Sequence, residues 1–207
     1  MNDLIAKIEQ LKKTNIKKKI NQRIRQFKNI DKKSNDELFK EMCFCMLTAN
    51  FNAEKSIKIQ NEIGKCFIAD SEEQLCNKLR EYGHRFPNKR AYYIHQSQKY
   101  KNELSRIVNF HDKKAVRDWI VKNVKGLGYK EASHFLRNIG FDDLAIIDFH
   151  IIDILSSYNV IIKPNTITKN KYLEIEKKLN TLAKKTNLTL AELDLYLWYM
   201  ETGKILK

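Results

Sequence analysis

Val124-Lys125-Gly126-Leu127-Gly128-Tyr129-Lys130-Glu131-Ala132 lies between two stretches of helical apolar spacing, 115–123 and 130–139. Gly126 and Gly128 allow a tight turn and a close approach of the backbone to a partner. Leu127, between them, is placed to plug the two helices together. The turn aims the free amides of the second helix's first turn outward, where the helix dipole favours an anion. The amides of Gly126 and Gly128 are therefore candidates for gripping a phosphate. A lone Gly-x-Gly is also an ordinary helix end followed by a turn. The reading as a helix–hairpin–helix DNA clamp gains force from the charge of the rest of the chain.

That charge is +14, from 39 basic against 25 acidic residues, and it favours a polyanionic partner, because each phosphate contact releases counterions. A lysine-rich composition that coats every solvated face gives the same number, so charge supports nucleic-acid binding without establishing it. No run of 18 apolar residues occurs, and no membrane span is expected. The first 13 residues lack the apolar centre of a signal peptide. The expectation is a cytoplasmic, DNA-associated protein.

Two prolines, six glycines and little β-branched alternation predict an all-α fold. Ser34-x-x-Glu37, Ser71-x-x-Gln74 and Thr189-x-x-Glu192 read as capping boxes at helix starts. Helices are predicted over about 2–13, 17–28, 35–49, 53–64, 72–82, 88–103, 112–123, 130–139, 149–157, 171–186 and 190–201. These suggest two helical lobes with a cleft between them: a central lobe, 30–125, and a second lobe made of 1–29 plus 126–207 that carries the hairpin. Cys43, Cys45, Cys66 and Cys76 form no Cys-x-x-Cys pair and are expected to be buried free thiols rather than metal ligands. No cysteine follows residue 76, which excludes a C-terminal iron–sulfur loop.

Lys130 falls in the first turn of the second hairpin helix, where a cation opposes the dipole. The position is expected to favour the neutral amine, the form that attacks a sugar C1′ and becomes a Schiff base. A lysine that merely touches phosphate fits the spacing equally well. Asp148 follows the apolar run Leu144-Ala145-Ile146-Ile147 and precedes a predicted helix. It suits an N-cap, and also a carboxylate that stabilises positive charge and assists proton transfer; one aspartate can do both.

At these residues the chain resembles the helix–hairpin–helix superfamily of DNA glycosylases. In that superfamily the lysine follows the hairpin's Gly-x-Gly by two positions and the aspartate comes about eighteen residues later; here the separation is 148 − 130 = 18. Further blocks are similar to the archaeal-type 8-oxoguanine DNA glycosylase/AP lyase family. They are Glu131-Ala132-Ser133-His134-Phe135-Leu136-Arg137-Asn138, Ala145-Ile146-Ile147-Asp148, Leu47-Thr48-Ala49-Asn50, Gly83-His84-Arg85-Phe86 and Leu193-Asp194-Leu195-Tyr196-Leu197-Trp198-Tyr199. Two features depart from the pattern. The superfamily's Gly/Pro-rich loop before the aspartate is replaced by an apolar run, and Phe149 stands where the family carries a basic residue.

The resemblance implies a bifunctional enzyme: Lys130 displaces the damaged base, a Schiff base forms, β-elimination nicks the strand, and Asp148 assists. This chemistry calls for no cofactor and no metal. The implied partner is double-stranded DNA containing 8-oxoguanine, bound by a monomer away from any membrane. Phe86 and Trp198 are implied to sandwich the extruded purine, and Lys207 to reach the same base. From periodicity alone, both aromatics also fit a helix core. A glycosylase for another lesion, or a non-catalytic helix–hairpin–helix DNA-binding protein, remains open at this point. An acceptor facing N7–H, which 8-oxoguanine has and guanine lacks, would discriminate the lesion. The carboxylate of Lys207 is the candidate for it. Residues appended after Lys207 are therefore expected to weaken 8-oxoguanine excision while sparing cleavage at abasic sites; unchanged kinetics on both substrates contradict this role.

Overall fold

The computed structural model describes residues 1–29, 34–110 and 112–207. Every regular element among them is helical: α1 (Asn2–Lys12), α2 (Ile16–Lys28), α3 (Asn35–Thr48), α4 (Ala53–Ile63), α5 (Cys66–Ala69), α6 (Glu72–Glu81) and α7 (Pro87–Ser97). A 3-10 segment (Gln98–Glu103) follows, then α8 (Leu104–Val108), α9 (Lys113–Asn123), α10 (Tyr129–Asn138), α11 (Phe149–Ser157), α12 (Lys169–Lys185) and α13 (Leu190–Thr202). No described helix is long and apolar enough to cross a membrane.

The chain divides into two compact units, Asn29–Ile139 and Met1–Lys28 with Gly140–Lys207. The sequence division at 125/126 is thus displaced, because the hairpin belongs with the central helices. The cause is packing: α10 lies against α3 and α9. A buried hydrogen bond from Asn138 Nδ2 to Glu41 Oε1 (2.7 Å) ties its end to α3.

In the central unit α3 is apolar on all sides from Met42 to Leu47 and forms the core. Phe39, Met42, Cys43, Phe44, Cys45, Met46 and Leu47 are inaccessible to solvent. Such a helix needs neighbours all round; α4, α5, α7, α8, α10 and the 3-10 segment supply them. Each fully buried large side chain contributes roughly 1.5–3 kcal/mol. The helix predicted over 88–103 is interrupted at Ser97, whose hydroxyl donates to the Tyr93 carbonyl (2.6 Å) and competes with the helical ladder. Cys43 and Cys45 are buried as expected, and burial pushes the Cys43 thiol well up. Cys66 and Cys76 are only half-buried, since polar neighbours hold them: Lys78 Nζ donates to Cys66 Sγ, and Cys76 Sγ donates to Asn88.

In the other unit α13 buries Leu190, Leu193, Leu195, Tyr196 and Leu197 and packs against α2, α11 and α12. The run Leu144-Ala145-Ile146-Ile147 is buried without being regular structure. Its backbone groups must therefore find side-chain partners. Ala145 N–H donates to Glu176 Oε1 (3.0 Å), Tyr172 OH donates to the Ala145 carbonyl (2.7 Å), and Ile147 N–H donates to Tyr172 OH (3.3 Å). These bonds fix the backbone that delivers Asp148.

The hairpin depends on Gly126. Its φ is +92°, and a Cβ there would lie 2.3 Å from Tyr93 Cδ2 on α7. The glycine thus answers a left-handed backbone and a ring pressed against it at once. Gly126→Ala is expected to destabilise the protein by at least about 1–2 kcal/mol from the backbone alone, with the clash added, as read by denaturant unfolding. Replacing Tyr93 by Ala in the same chain should recover the steric part and leave the backbone part. A Gly126→Ala protein as stable as the parent would contradict this account.

Candidate active site

Lys130 is the second residue of α10, and its side chain is about a quarter exposed (23%). Its Nζ stands 3.9 Å from Glu131 Oε1, beyond hydrogen-bond reach, and no hydrogen bond to it is formed among the described residues. The amine is thus partly shielded and held only by a long ion pair to Glu131. Leu127 is buried as the plug between α9 and α10. Arg117 and Tyr129 brace the junction: the Arg117 guanidinium lies 5.1 Å over the Tyr129 ring and donates to Ser133 Oγ, while Tyr129 OH donates to Asp118.

The two hairpin glycines differ in what they offer. Gly128 N–H already donates to Glu131 Oε2 (3.3 Å), the return arm of a capping interaction. A phosphate reaching that amide competes with an internal carboxylate. The charge of Glu131 therefore touches both the proposed anion site and Lys130, a role that sequence spacing did not single out. Beside the hairpin lies a cavity of about 490 Å³ whose lining includes Tyr92, Lys99, Lys122, Lys125 and Gly126. Lys125 Nζ donates to Tyr92 OH (3.0 Å), which holds one of these cations in place.

Phe86 is the N-cap of α7, with Pro87 opening the helix, and it is half-buried. The Arg85 and Arg90 guanidinium carbons lie 5.0 and 5.6 Å from its ring centre. Phe86 N–H donates to His84 Nδ1 (3.0 Å), and His84 Nε2 is 3.1 Å from the Leu47 carbonyl. Burial holds the His84 imidazole below its ordinary pKa, and the charge of Arg90 acts in the same direction.

In the other unit Asp148 is the N-cap of α11, and its Oδ1 accepts from Ile151 N–H (3.0 Å). Its other oxygen makes no hydrogen bond among the described residues. Trp198 is half-buried on α13, its ring edge-on to His150 at 4.9 Å, and its buried Nε1 has no hydrogen-bond partner among the described residues. Gly203, in the left-handed conformation, ends α13 and turns the chain, and Lys207 is half-buried. The sequence-derived set therefore falls in two groups: Lys130, Gly126, Gly128 and Phe86 on the central unit, and Asp148, Trp198 and Lys207 on the other. His84 was not separated from its motif, and Arg90 was not singled out, by sequence reading, because their partners are carbonyls about forty residues earlier in the chain. Among the described residues no three His, Cys, Asp or Glu side chains gather as metal ligands do.

Comparison with known proteins bears on this arrangement. The family model described as 8-oxoguanine DNA glycosylase matches residues 20–188. A relative from Methanocaldococcus jannaschii named 8-oxoguanine DNA glycosylase/AP lyase is 52% identical over 205 residues, covering 99% of each chain. The crystal structure of the M. jannaschii glycosylase/lyase with a 15mer DNA containing 8-oxoguanine matches with a TM-score of 0.96, covering 99% of both chains. The 8-oxoguanine DNA glycosylase of Thermotoga maritima matches with a TM-score of 0.94 at 39% identity, covering 100% of this chain and 99% of that one. Over the hairpin, both compact units and nearly the whole length, this chain belongs to the 8-oxoguanine DNA glycosylase family.

Proposed function

We propose that the protein excises 8-oxoguanine from double-stranded DNA and then nicks the strand, with Lys130 as the nucleophile. The observation that carries this is a partly shielded lysine that makes no hydrogen bond among the described residues, two positions past the hairpin glycine Gly128, at a helix end that attracts phosphate. The names of the relatives, and the DNA in one solved neighbour, support the substrate.

In this reading the hairpin amides around Gly126 and Gly128 hold a backbone phosphate, with Glu131 yielding the Gly128 amide to it. The nucleotide turns out of the stack, and its base lies against Phe86 and Trp198; each stacked base gains roughly 1–3 kcal/mol. Lys207 contributes to reading the lesion. Lys130 Nζ, as the neutral amine, forms a bond to C1′ while the bond to the base nitrogen breaks, and the base leaves with the electron pair and takes up a proton. The sugar ring opens as its oxygen is protonated, leaving a protonated Schiff base. Loss of a C2′ proton then expels the 3′ phosphate by β-elimination, and water releases the lysine. Asp148 stabilises the positive charge on the sugar and helps move protons, using the carboxylate oxygen that does not cap α11. One hairpin clamp engages one duplex, which suits a monomer acting on cytoplasmic DNA.

Borohydride reduction during turnover of an 8-oxoguanine duplex is expected to trap a covalent complex. Lys130→Gln should abolish trapping while still binding the lesion duplex, and an adduct with that variant contradicts the assignment. Asp148→Asn is expected to slow the reaction by roughly 10²–10⁴-fold, as removal of a proton-transfer group does. Faster excision of an oxidised pyrimidine or an undamaged adenine in the same assay would move the protein to another lesion class.

A further inference from the structure

The last carbonyls of a helix have no partner within it, and at the end of α3 two of these needs are met from a distance. His84 serves the Leu47 carbonyl at 3.1 Å and Arg90 Nη2 serves the Ala49 carbonyl at 2.5 Å. Both donors bracket Phe86. His84 Nδ1 accepts from Phe86 N–H, so the ring proton is on Nε2, and Nε2 donates to Leu47. Phe51 covers the imidazole at 4.2 Å between ring centres. Arg90 is 6% exposed, and its guanidinium stands over both the Phe86 ring (5.6 Å) and the Tyr93 ring (6.0 Å). Tyr93 is also the ring on which Gly126 rests. The backbone of Phe86 is thereby indexed to the most buried helix of its unit, and the same arginine touches the ring that seats the hairpin.

We infer that His84 and Arg90 are positioning residues for lesion extraction, setting the height and tilt of Phe86 against the end of α3. This rests on the reading of Phe86 as a base-stacking platform. Neither residue needs to touch DNA for the effect. A platform displaced by about an ångström loses its alignment with the base, and misplacements of that size cost up to about 10²-fold in rate. The cations near the Phe86 ring also draw on its π-electrons, which favours stacking with an electron-rich oxidised purine.

Two substitutions separate the two bonds of His84. In His84→Asn the side-chain oxygen still accepts from Phe86 N–H, as in an Asx turn, but nothing reaches Leu47. In His84→Gln the amide nitrogen reaches the Leu47 carbonyl and keeps the tie to α3. The readout is the ratio of two single-turnover rates on one duplex sequence: release of 8-oxoguanine, and nicking at a preformed abasic site, which offers no base to stack. His84→Asn is expected to lower this ratio by about 10-fold or more, His84→Gln to restore most of it, and Arg90→Lys to lower it in the same direction. A ratio unchanged in His84→Asn and Arg90→Lys, with both rates falling together or neither falling, overturns the inference. Phe86→Ala in the same assay tells the two ideas apart. If it leaves the ratio unchanged, the base-platform reading itself fails. If it lowers the ratio while His84→Asn does not, only the positioning role fails.

Discussion

The backbone at Gly126 passes so close to the Tyr93 ring that no side chain fits between them, and it does so at a left-handed φ of +92°. That contact sets the direction in which α10 leaves the turn. The direction of α10 in turn places Lys130 in the first helical turn and buries Asn138 against Glu41 at the far end. A helix fixed at both ends presents its N-terminal amides in one orientation, which an anion-binding helix end requires. The same Tyr93 ring lies near Arg90, so the hairpin and the Phe86 segment share a support.

Electrostatics at the hairpin are more balanced than a net charge of +14 suggests. Glu131 occupies the Gly128 amide and lies near Lys130, so without DNA the helix end is already served by an internal anion. On the proposed reading, phosphate binding there is an exchange of one anion for another rather than the filling of an empty site. Lys125, held on Tyr92, and the lysines lining the neighbouring cavity supply attraction that does not depend on that exchange. On the other unit, Asp148 caps α11 with one oxygen and retains the second, so the structural duty does not compete with the chemical role proposed for it.

Much of this was legible in the sequence because it is written locally. The Gly-x-Gly between helical periodicities marked the hairpin, and Asp148 after an apolar run marked an N-cap. Ser71 and Thr189 marked capping boxes that form in full. What was not legible depends on partners distant in the chain. The boundary between units moved because α10 packs on α3, a contact between residues about a hundred positions apart. The helix predicted over 88–103 broke because a serine hydroxyl competed with its ladder. The hydrogen bonds of His84 to Leu47 and of Arg90 to Ala49 join residues about forty positions apart, which local spacing does not reveal. How the buried Leu144-Ala145-Ile146-Ile147 run avoids unsatisfied backbone groups was equally invisible, since Tyr172 and Glu176 come from a later helix.

The central claim is that one side-chain nitrogen becomes bonded to the deoxyribose of the damaged nucleotide. Peptide mapping by mass spectrometry of the borohydride-reduced complex, after nuclease and protease digestion, locates that bond directly. A reduced sugar adduct is expected on the peptide containing Lys130, with fragment ions assigning the added mass to residue 130. An adduct on the N-terminal amine, on Lys125 or on any other lysine, with residue 130 unmodified, would contradict it.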